Sequence, residues 1–288
     1  MRFQENVSLT DQTSFKIGGP AKYFFTAKSK EDLIEAIKKI KKLKLAFFIL
    51  GGGNNVLALD KGYNGLIIKI ANLQFLIRNC SIHAGAGLNL AKLVNLATNK
   101  SLTGLEWAAG IPGTVGGAVY GNAQAFGNKM SDCIKSVEVF DIKTSKVRTL
   151  KKRECKFSEK ESIFKKKKNL IILSVILELK KGNKNKIEKK IREHIYFRKK
   201  NQPLKFPSAG SVFVNQPGKP ASSYLIDQSG LKGRRIGSVQ VSEKHAGFII
   251  NKGGAKAKDV LKLIKIIKKE VRKKFKVSLK EEIQIIKN

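Results

Sequence analysis

Residues 29 to 55 constrain this chain more than any other stretch, reading "SKEDLIEAIKKIKKLK", then "LAFFIL", then "GGGNN". Ser29 and Asp32 stand in a capping-box relation, and Leu33, Ile34, Ile37 and Ile40 share one face. Residues 29–44 are therefore predicted as an amphipathic helix whose lysines form its wet side. The apolar run at 45–50 is too short for a second helix and stops abruptly at glycine, which predicts a buried strand. Helix, buried strand and glycine turn in that order make an α/β unit, whose sheet must be covered by further elements.

The rest of the chain supplies them. "GLIIKI" (65–70), "SVEVFDI" (136–142) and "NLIILSVILEL" (169–179) read as strands, and "LNLAKLVNLATNK" (88–100) as a helix. From about Asn183 the composition turns basic. "NKNKIEKKIREHIYFRKKNQP" predicts a helix stopped before Pro203, and hairpin-like segments, a helix over 257–275 and a last strand near 279–286 follow. A boundary near residue 182 divides the chain into a larger region, 1–182, with subdomains of about 1–60 and 61–182, and a smaller C-terminal domain, 183–288.

Charge narrows the function class less than its size suggests. Lys and Arg number 58 against 22 Asp and Glu, a formal net charge of +36 over 288 residues. Nucleic-acid binding is the obvious suspicion, yet the lysines of 38–44 alternate with Ile40 and Leu43 at helical spacing, and arginine, the better base reader, is scarce. A solvated lysine surface accounts for the pattern without nucleic acid as a partner. Cys80, Cys133 and Cys155 are odd in number and far apart, which argues against a disulfide framework or a metal site. The first residues lack the apolar run of a signal peptide, and no stretch reaches bilayer-spanning length, so the reading is cytoplasmic, without membrane insertion.

Against all this lysine, "GIPGTVGGAVYGNAQAFG" (110–127) carries six glycines and no charge. Backbone without Cβ can bring N–H groups against phosphate oxygens, each such bond to an anion being worth roughly 1.5–3 kcal/mol. Gly51, Gly52, Gly53, Asn54 and Asn55, with Ile111, Pro112, Gly113, Thr114, Gly116, Gly117, Ala118 and Asn122, are therefore candidates for holding a pyrophosphate-bearing cofactor. The alternative is that these glycines serve tight turns and close strand packing. Neither cluster fits a known nucleotide fingerprint: "GGGNNV" has Val56 and "GAGLNL" has Leu90 where the third glycine belongs, and no lysine follows as in a P-loop.

"TSFKIGGPA" (13–21), "LGGGNNVL" (50–57), "GLEWAAGIPGTVGGAVYGNAQAFG" (104–127), "PSAGSVF" (207–213), "GLKGRRIGSVQVSEKHAGFIIN" (230–251) and "LKEEIQII" (279–286) resemble, in order, the UDP-N-acetylenolpyruvoylglucosamine reductase family. The compact "HAGFIIN" form is similar to the short type, which lacks a tyrosine-bearing insertion. The resemblance implies an α/β (α+β) fold, with an FAD-binding region of the vanillyl-alcohol oxidase kind followed by a smaller α/β substrate domain. It implies a monomeric flavoenzyme in which NADPH reduces FAD and the reduced flavin delivers hydride to the enolpyruvyl ether of a UDP-sugar, giving UDP-N-acetylmuramate for peptidoglycan. Another FAD-dependent oxidoreductase of the same fold, acting on an alcohol or sugar acid, is the alternative.

The same resemblance assigns roles residue by residue. Ser211 matches the family's proton donor and Glu282 its C-terminal glutamate, with Glu281 as a neighbour that strand alternation does not exclude. Where the family carries a catalytic arginine, "EKESIFK" places Lys160, which keeps the charge and loses the planar fork. Arg198 matches a cofactor-side position, and Asn215 and His245 match substrate-side positions.

Overall fold

The computed structural model describes residues 1–287. Its helices are α1 (Lys30–Leu43), α2 (Leu90–Asn99), α3 (Val115–Tyr120), α4 (Ile163–Lys166), α5 (Lys184–Asn201), α6 (Ser222–Gln228) and α7 (Ala257–Phe275). The chain forms two compact units, each assembled from separated segments. The first comprises Met1–Arg2, Phe25–Gly52 and Ile68–Arg198, and the second Phe3–Phe24, Gly53–Ile67 and the chain from Lys199 on. The last passage between units thus falls inside α5, some way past the boundary read near residue 182. Sequence composition could not show the interleaving, because two short N-terminal segments belong with the C-terminal half.

In the first unit, α1 begins as its capping box dictates: the Asp32 amide donates to Ser29 Oγ at 3.0 Å and the Ser29 amide to Asp32 Oδ2 at 3.2 Å. Leu33, Ala36, Ile37 and Ile40 are its buried face, and it ends at Lys44, whose φ of 50° is the left-handed cap conformation. The strand Phe47–Leu50 follows directly. A five-stranded antiparallel sheet forms the other part of this unit, in the order Lys146–Lys151, Ile134–Asp141, Leu170–Glu178, Ser81–Gly85, Phe75–Arg78. Val137 pairs with Val175 and Val175 with Ala84, so the buried residues of its three central strands lie in register. α3 lies against the strand Leu170–Glu178, which fixes the glycine-rich stretch on the sheet.

The second unit packs α6 and α7 with a four-stranded antiparallel sheet of order Ser208–Ser211, Phe248–Asn251, Val239–Val241, Arg235–Ile236. Val260, Leu263, Ile264, Ile267 and Val271 recur at helical spacing on α7 and enter one core with Phe213, Leu225, Ile226, Val239 and Val241. Burial of each stabilises the unit by about 1.5–3 kcal/mol. The Asp60 carboxylate caps α7, accepting from the amides of Ala257 at 2.8 Å and Lys258 at 3.0 Å.

The C-terminal strand is shorter than its sequence predicts. Only Gln284–Ile286 forms it, pairing in parallel with Val56–Ala58. The segment before it changes partner, since the Glu282 amide donates to the Val212 carbonyl at 2.7 Å and the Gln284 amide to Asn55 at 2.9 Å. No continuous ladder survives that switch, so simple alternation across 279–286 does not hold.

Candidate active site

Within the first unit the two glycine clusters meet. A Cβ on Gly51 would lie 2.7 Å from Thr114 Oγ1, so this approach requires glycine. Thr114 is the N-cap of α3, its Oγ1 accepting from the Gly117 amide at 3.3 Å. Not every glycine here serves a ligand. The Val115 and Gly116 amides already donate to the carbonyls of Leu88 and Ala86, each at 2.8 Å, and a Cβ on Gly116 would strike the Ala86 Cβ at 2.8 Å. Gly116 is therefore a packing glycine, and Val115 and Ala118 are buried. The phosphate-holding reading rests on Gly51, Gly113 and Thr114, with Gly117 exposed beside them and its amide engaged by Thr114 Oγ1. Ile111 is half-buried, Pro112 and Gly52 are exposed, and neither cluster contains a carboxylate. Bare, uncharged backbone around one hydroxyl fits an anionic cofactor.

Arg198 occupies a different place from a surface cation. It is 8% exposed, and its Nε donates to the Ala109 carbonyl at 2.9 Å and its Nη2 to the Trp107 carbonyl at 3.3 Å. Its Cδ would lie 3.0 Å from a Cβ on Gly110, so the side chain clamps the segment leading into Ile111. Burial lowers its affinity for a proton. Beside it, Phe126 was not legible as a site residue. Phe126 and Gly127, at φ 51° and 76°, are the two central residues of the hairpin Gln124–Ala125/Asn128–Lys129. Such a turn favours Asn-Gly, and a bulky residue there is strained. The Phe126 ring is nonetheless 37% exposed, stacked on His194 at 3.9 Å with the Arg198 guanidinium 5.2 Å from its centre. Only its position just before Gly127, in a two-residue turn, could have flagged it.

Lys160 sits at the tip of a tight turn, half-buried, with φ 53°. The turn is closed by Ser158 and Glu161, whose amides donate to each other's carbonyls at 3.1 and 3.2 Å. Lys44, Lys156 and Lys276 also have positive φ as helix C-caps, where that conformation is ordinary, and Lys16, at φ 54°, shares it outside any helix. Lys160 caps no helix. Asn122 is not placed to touch a cofactor: it is 0% exposed, with both ends of its amide bonded to protein.

The second unit gathers the remaining candidates around one turn. Ser211 pairs with Phe248 in the sheet, and the Val212 amide donates to Gly247 at 2.9 Å. The Glu282 amide reaches the Val212 carbonyl, and the Asn55 side chain donates to the Glu282 carbonyl at 3.2 Å. Glu282 is thus tied by its backbone to the residue after Ser211 and to the glycine-turn asparagine. Glu281 instead pairs with Lys268 on α7 at 2.9 Å, which separates the two glutamates where alternation could not. Asn54 is half-buried, and a Cβ on Gly53 would meet the Gln12 carbonyl at 2.1 Å. Asn215 is exposed, and its Oδ1 accepts from the Ser222 amide at 2.9 Å and hydroxyl at 3.0 Å. His245 Nδ1 accepts from the Gly247 amide at 3.2 Å, and burial pushes its proton affinity below the usual imidazole range. It is therefore a neutral ring whose Nε2–H is the available donor.

Two scaffold residues escaped the sequence reading. Ser14 donates to the Ser208 carbonyl at 2.7 Å, and Asn251 to the Phe15 carbonyl at 3.0 Å, so "TSFKIGG" supports the serine turn. A concavity lined by Lys268, Lys269, Arg272, Lys273, Lys276 and Ser278 contains none of the candidate residues, though Lys268 pairs with Glu281.

Comparison with known proteins identifies the family and the two regions of the chain. Residues 21–151 match the FAD binding domain model, and residues 202–286 the model for the C-terminal domain of UDP-N-acetylenolpyruvoylglucosamine reductase. The UDP-N-acetylenolpyruvoylglucosamine reductase of Caldanaerobacter subterraneus subsp. tengcongensis is 44% identical over 98% of this chain and 92% of its own length. That of Lachnoclostridium phytofermentans is 42% identical with the same coverages. The crystal structure of the Thermus caldophilus reductase superposes with a TM-score of 0.84 at 35% identity, covering 99% of each chain.

Proposed function

The chain belongs to the UDP-N-acetylenolpyruvoylglucosamine reductase family, and on that premise we propose that it reduces UDP-N-acetylglucosamine enolpyruvate to UDP-N-acetylmuramate, with FAD and NADPH as cofactors, for peptidoglycan synthesis. The alternative, a flavoenzyme for an alcohol or sugar acid, has no need of a C-terminal domain of this family, which covers residues 202–286. The observation that carries the reading is the tethering of Glu282 to the Ser211 turn in one unit.

FAD supplies the hydride relay between NADPH and the substrate's double bond. Gly51, Gly113 and Thr114 would hold its pyrophosphate through backbone and hydroxyl groups, with the bare face of Gly117 beside it. Ser211 donates the proton that the carbon beside the substrate carboxylate needs; a hydroxyl can do so and remain uncharged next to a ring system, where a buried ammonium would be costly. Lys160 stabilises the negative charge that builds on that carboxylate, favouring the transition state over the ground state. Glu282, tied by its backbone to the residue after Ser211, serves as the second catalytic acid–base group, while Asn215 Nδ2 and His245 Nε2–H bind the UDP-sugar. Arg198 acts one step back, fixing the approach to the glycine stretch. No helix among the described residues is long and apolar enough to cross a membrane, and we place the protein in the cytoplasm as a monomer.

Ser211→Ala tests the assignment. Reduction of bound flavin by NADPH is expected to continue near the wild-type rate, and reoxidation by the enolpyruvyl substrate to slow by about 10²- to 10⁴-fold. Equal slowing of both halves would make Ser211 a structural turn residue.

A further inference from the structure

Resting on the reading of Lys160 as the substrate-side cation, we infer that Asn122 is the positioning residue that holds the Lys160 turn on the end of α3. Asn122 follows α3, with a φ of 42°. This left-handed conformation is one that asparagine tolerates better than most residues. Its Nδ2 donates to the Ser158 carbonyl at 2.8 Å, and its Oδ1 accepts from the Ser131 amide at 3.0 Å. The two bonds demand opposite ends of the amide, so neither an ionised Asp nor a flipped Asn satisfies both. The other leg of the turn is tied to the same segment, Ser162 Oγ donating to the Tyr120 carbonyl at 2.7 Å, and Gln124 bonds Glu159 between them.

Lys160 is thereby suspended between two fixed legs. Lys165 Nζ also donates to the Lys160 carbonyl at 2.5 Å, so the backbone at the tip is held from three sides. A lysine has a long flexible stem and no planar fork, and an enzyme that uses one in place of arginine must remove the freedom at its root. The buried amide does that. Its loss would let the charge drift by a distance of order 1 Å, which is enough to slow catalysis about 100-fold.

Asn122→Asp keeps the acceptor for Ser131 and turns the donor to Ser158 into a titratable one. As the neutral acid it can still donate to the Ser158 carbonyl; as the anion it cannot, and burial raises the pH at which it ionises. The prediction is a protein that holds flavin and accepts hydride from NADPH at close to the wild-type rate. Reoxidation by UDP-N-acetylglucosamine enolpyruvate should be about 10- to 100-fold slower at high pH, with the loss falling on kcat, and should recover as pH falls. Wild type should lack this ionisation. In the double variant with Lys160→Ala, reoxidation should be no slower than in Lys160→Ala alone, because Asn122 acts only through that side chain. Equal slowing of both half-reactions, or additive losses in the double variant, overturns the inference. A silent Lys160→Ala overturns the Lys160 assignment itself. A slow Lys160→Ala with an unaffected Asn122→Asp overturns only the positioning role. Should Asn122→Asp fail to hold flavin, Ser162→Ala frees the other leg, and an unchanged oxidative half-reaction in that variant rejects the inference.

Discussion

At the scale of single residues, the position on which the proposed chemistry leans most is Lys160, a lysine in a backbone conformation that lysine does not favour. Lys160, at φ 53° on a two-legged turn, carries charge but no fork. Lys160→Arg should preserve or raise the rate of the oxidative half-reaction, because a guanidinium grips a carboxylate at two points. Lys160→Ala should lower it strongly and leave NADPH oxidation less affected; stopped-flow measurement of the two halves separates them. Protonation of His245 would remove the lone pair that accepts the Gly247 amide. Its pKa is lowered in the folded protein, first by burial and then by the charge of Lys232. The unfolded chain therefore binds more protons just below the ordinary imidazole pKa of about 6.5. The stabilisation is complete above that pH and is lost as pH falls through the folded-state value. Urea midpoints should drop between pH 7.5 and 5, and His245→Gln should flatten that slope. His194, lowered first by burial and then by Arg198, contributes with the same sign.

At the scale of elements, the glycine stretch divides into residues that pack and residues that face a ligand. Gly117→Asp places its Cβ no closer than 3.5 Å to Thr114 Oγ1, and an acid in the first turn of a helix is favourable. The protein should fold and lose its visible flavin absorbance, since a carboxylate repels a pyrophosphate. Gly116→Ala instead collides with Ala86 and should lower thermal stability whether or not flavin is present. A folded, yellow Gly117→Asp would remove α3 from the cofactor site. Much of this was legible in advance. The helices over 30–43 and 257–275 and the strands over 134–141 and 170–178 carry strong periodicity or long apolar runs, and they stand where the pattern puts them. The strand Ser81–Gly85 was not legible, because its five residues include an exposed histidine and a glycine. The C-terminal strand was overestimated, since its pairing depends on Asn55, more than 200 residues earlier. The roles read for Ser211, Glu282, Asn215 and His245 rest on matched motifs, whereas the clamp made by Arg198 and the burial of Asn122 depend on contacts that no local pattern encodes.

At the scale of the whole molecule, charge and cofactor chemistry part company. The formal charge of +36 lies on exposed lysines, and five cations line one concavity on and just after α7. The uncharged glycine stretch shares none of it. Self-repulsion on this scale destabilises the compact state, and salt screens it, the Debye length falling from about 30 Å at 0.01 M to about 3 Å at 1 M. Raising sodium chloride across that range should raise the melting temperature, and a fall would show that ion pairs such as Lys30–Glu138, at 2.6 Å, outweigh the repulsion.

This lysine-rich chain passes hydride to an enolpyruvyl ether. Anaerobic reduction of the purified yellow protein with NADPH, removal of excess nucleotide and addition of UDP-N-acetylglucosamine enolpyruvate test it in one experiment. The flavin should reoxidise as UDP-N-acetylmuramate appears in equal amount. Flavin that stays reduced in the presence of the enolpyruvyl substrate, and reoxidises only when air is admitted, would contradict it.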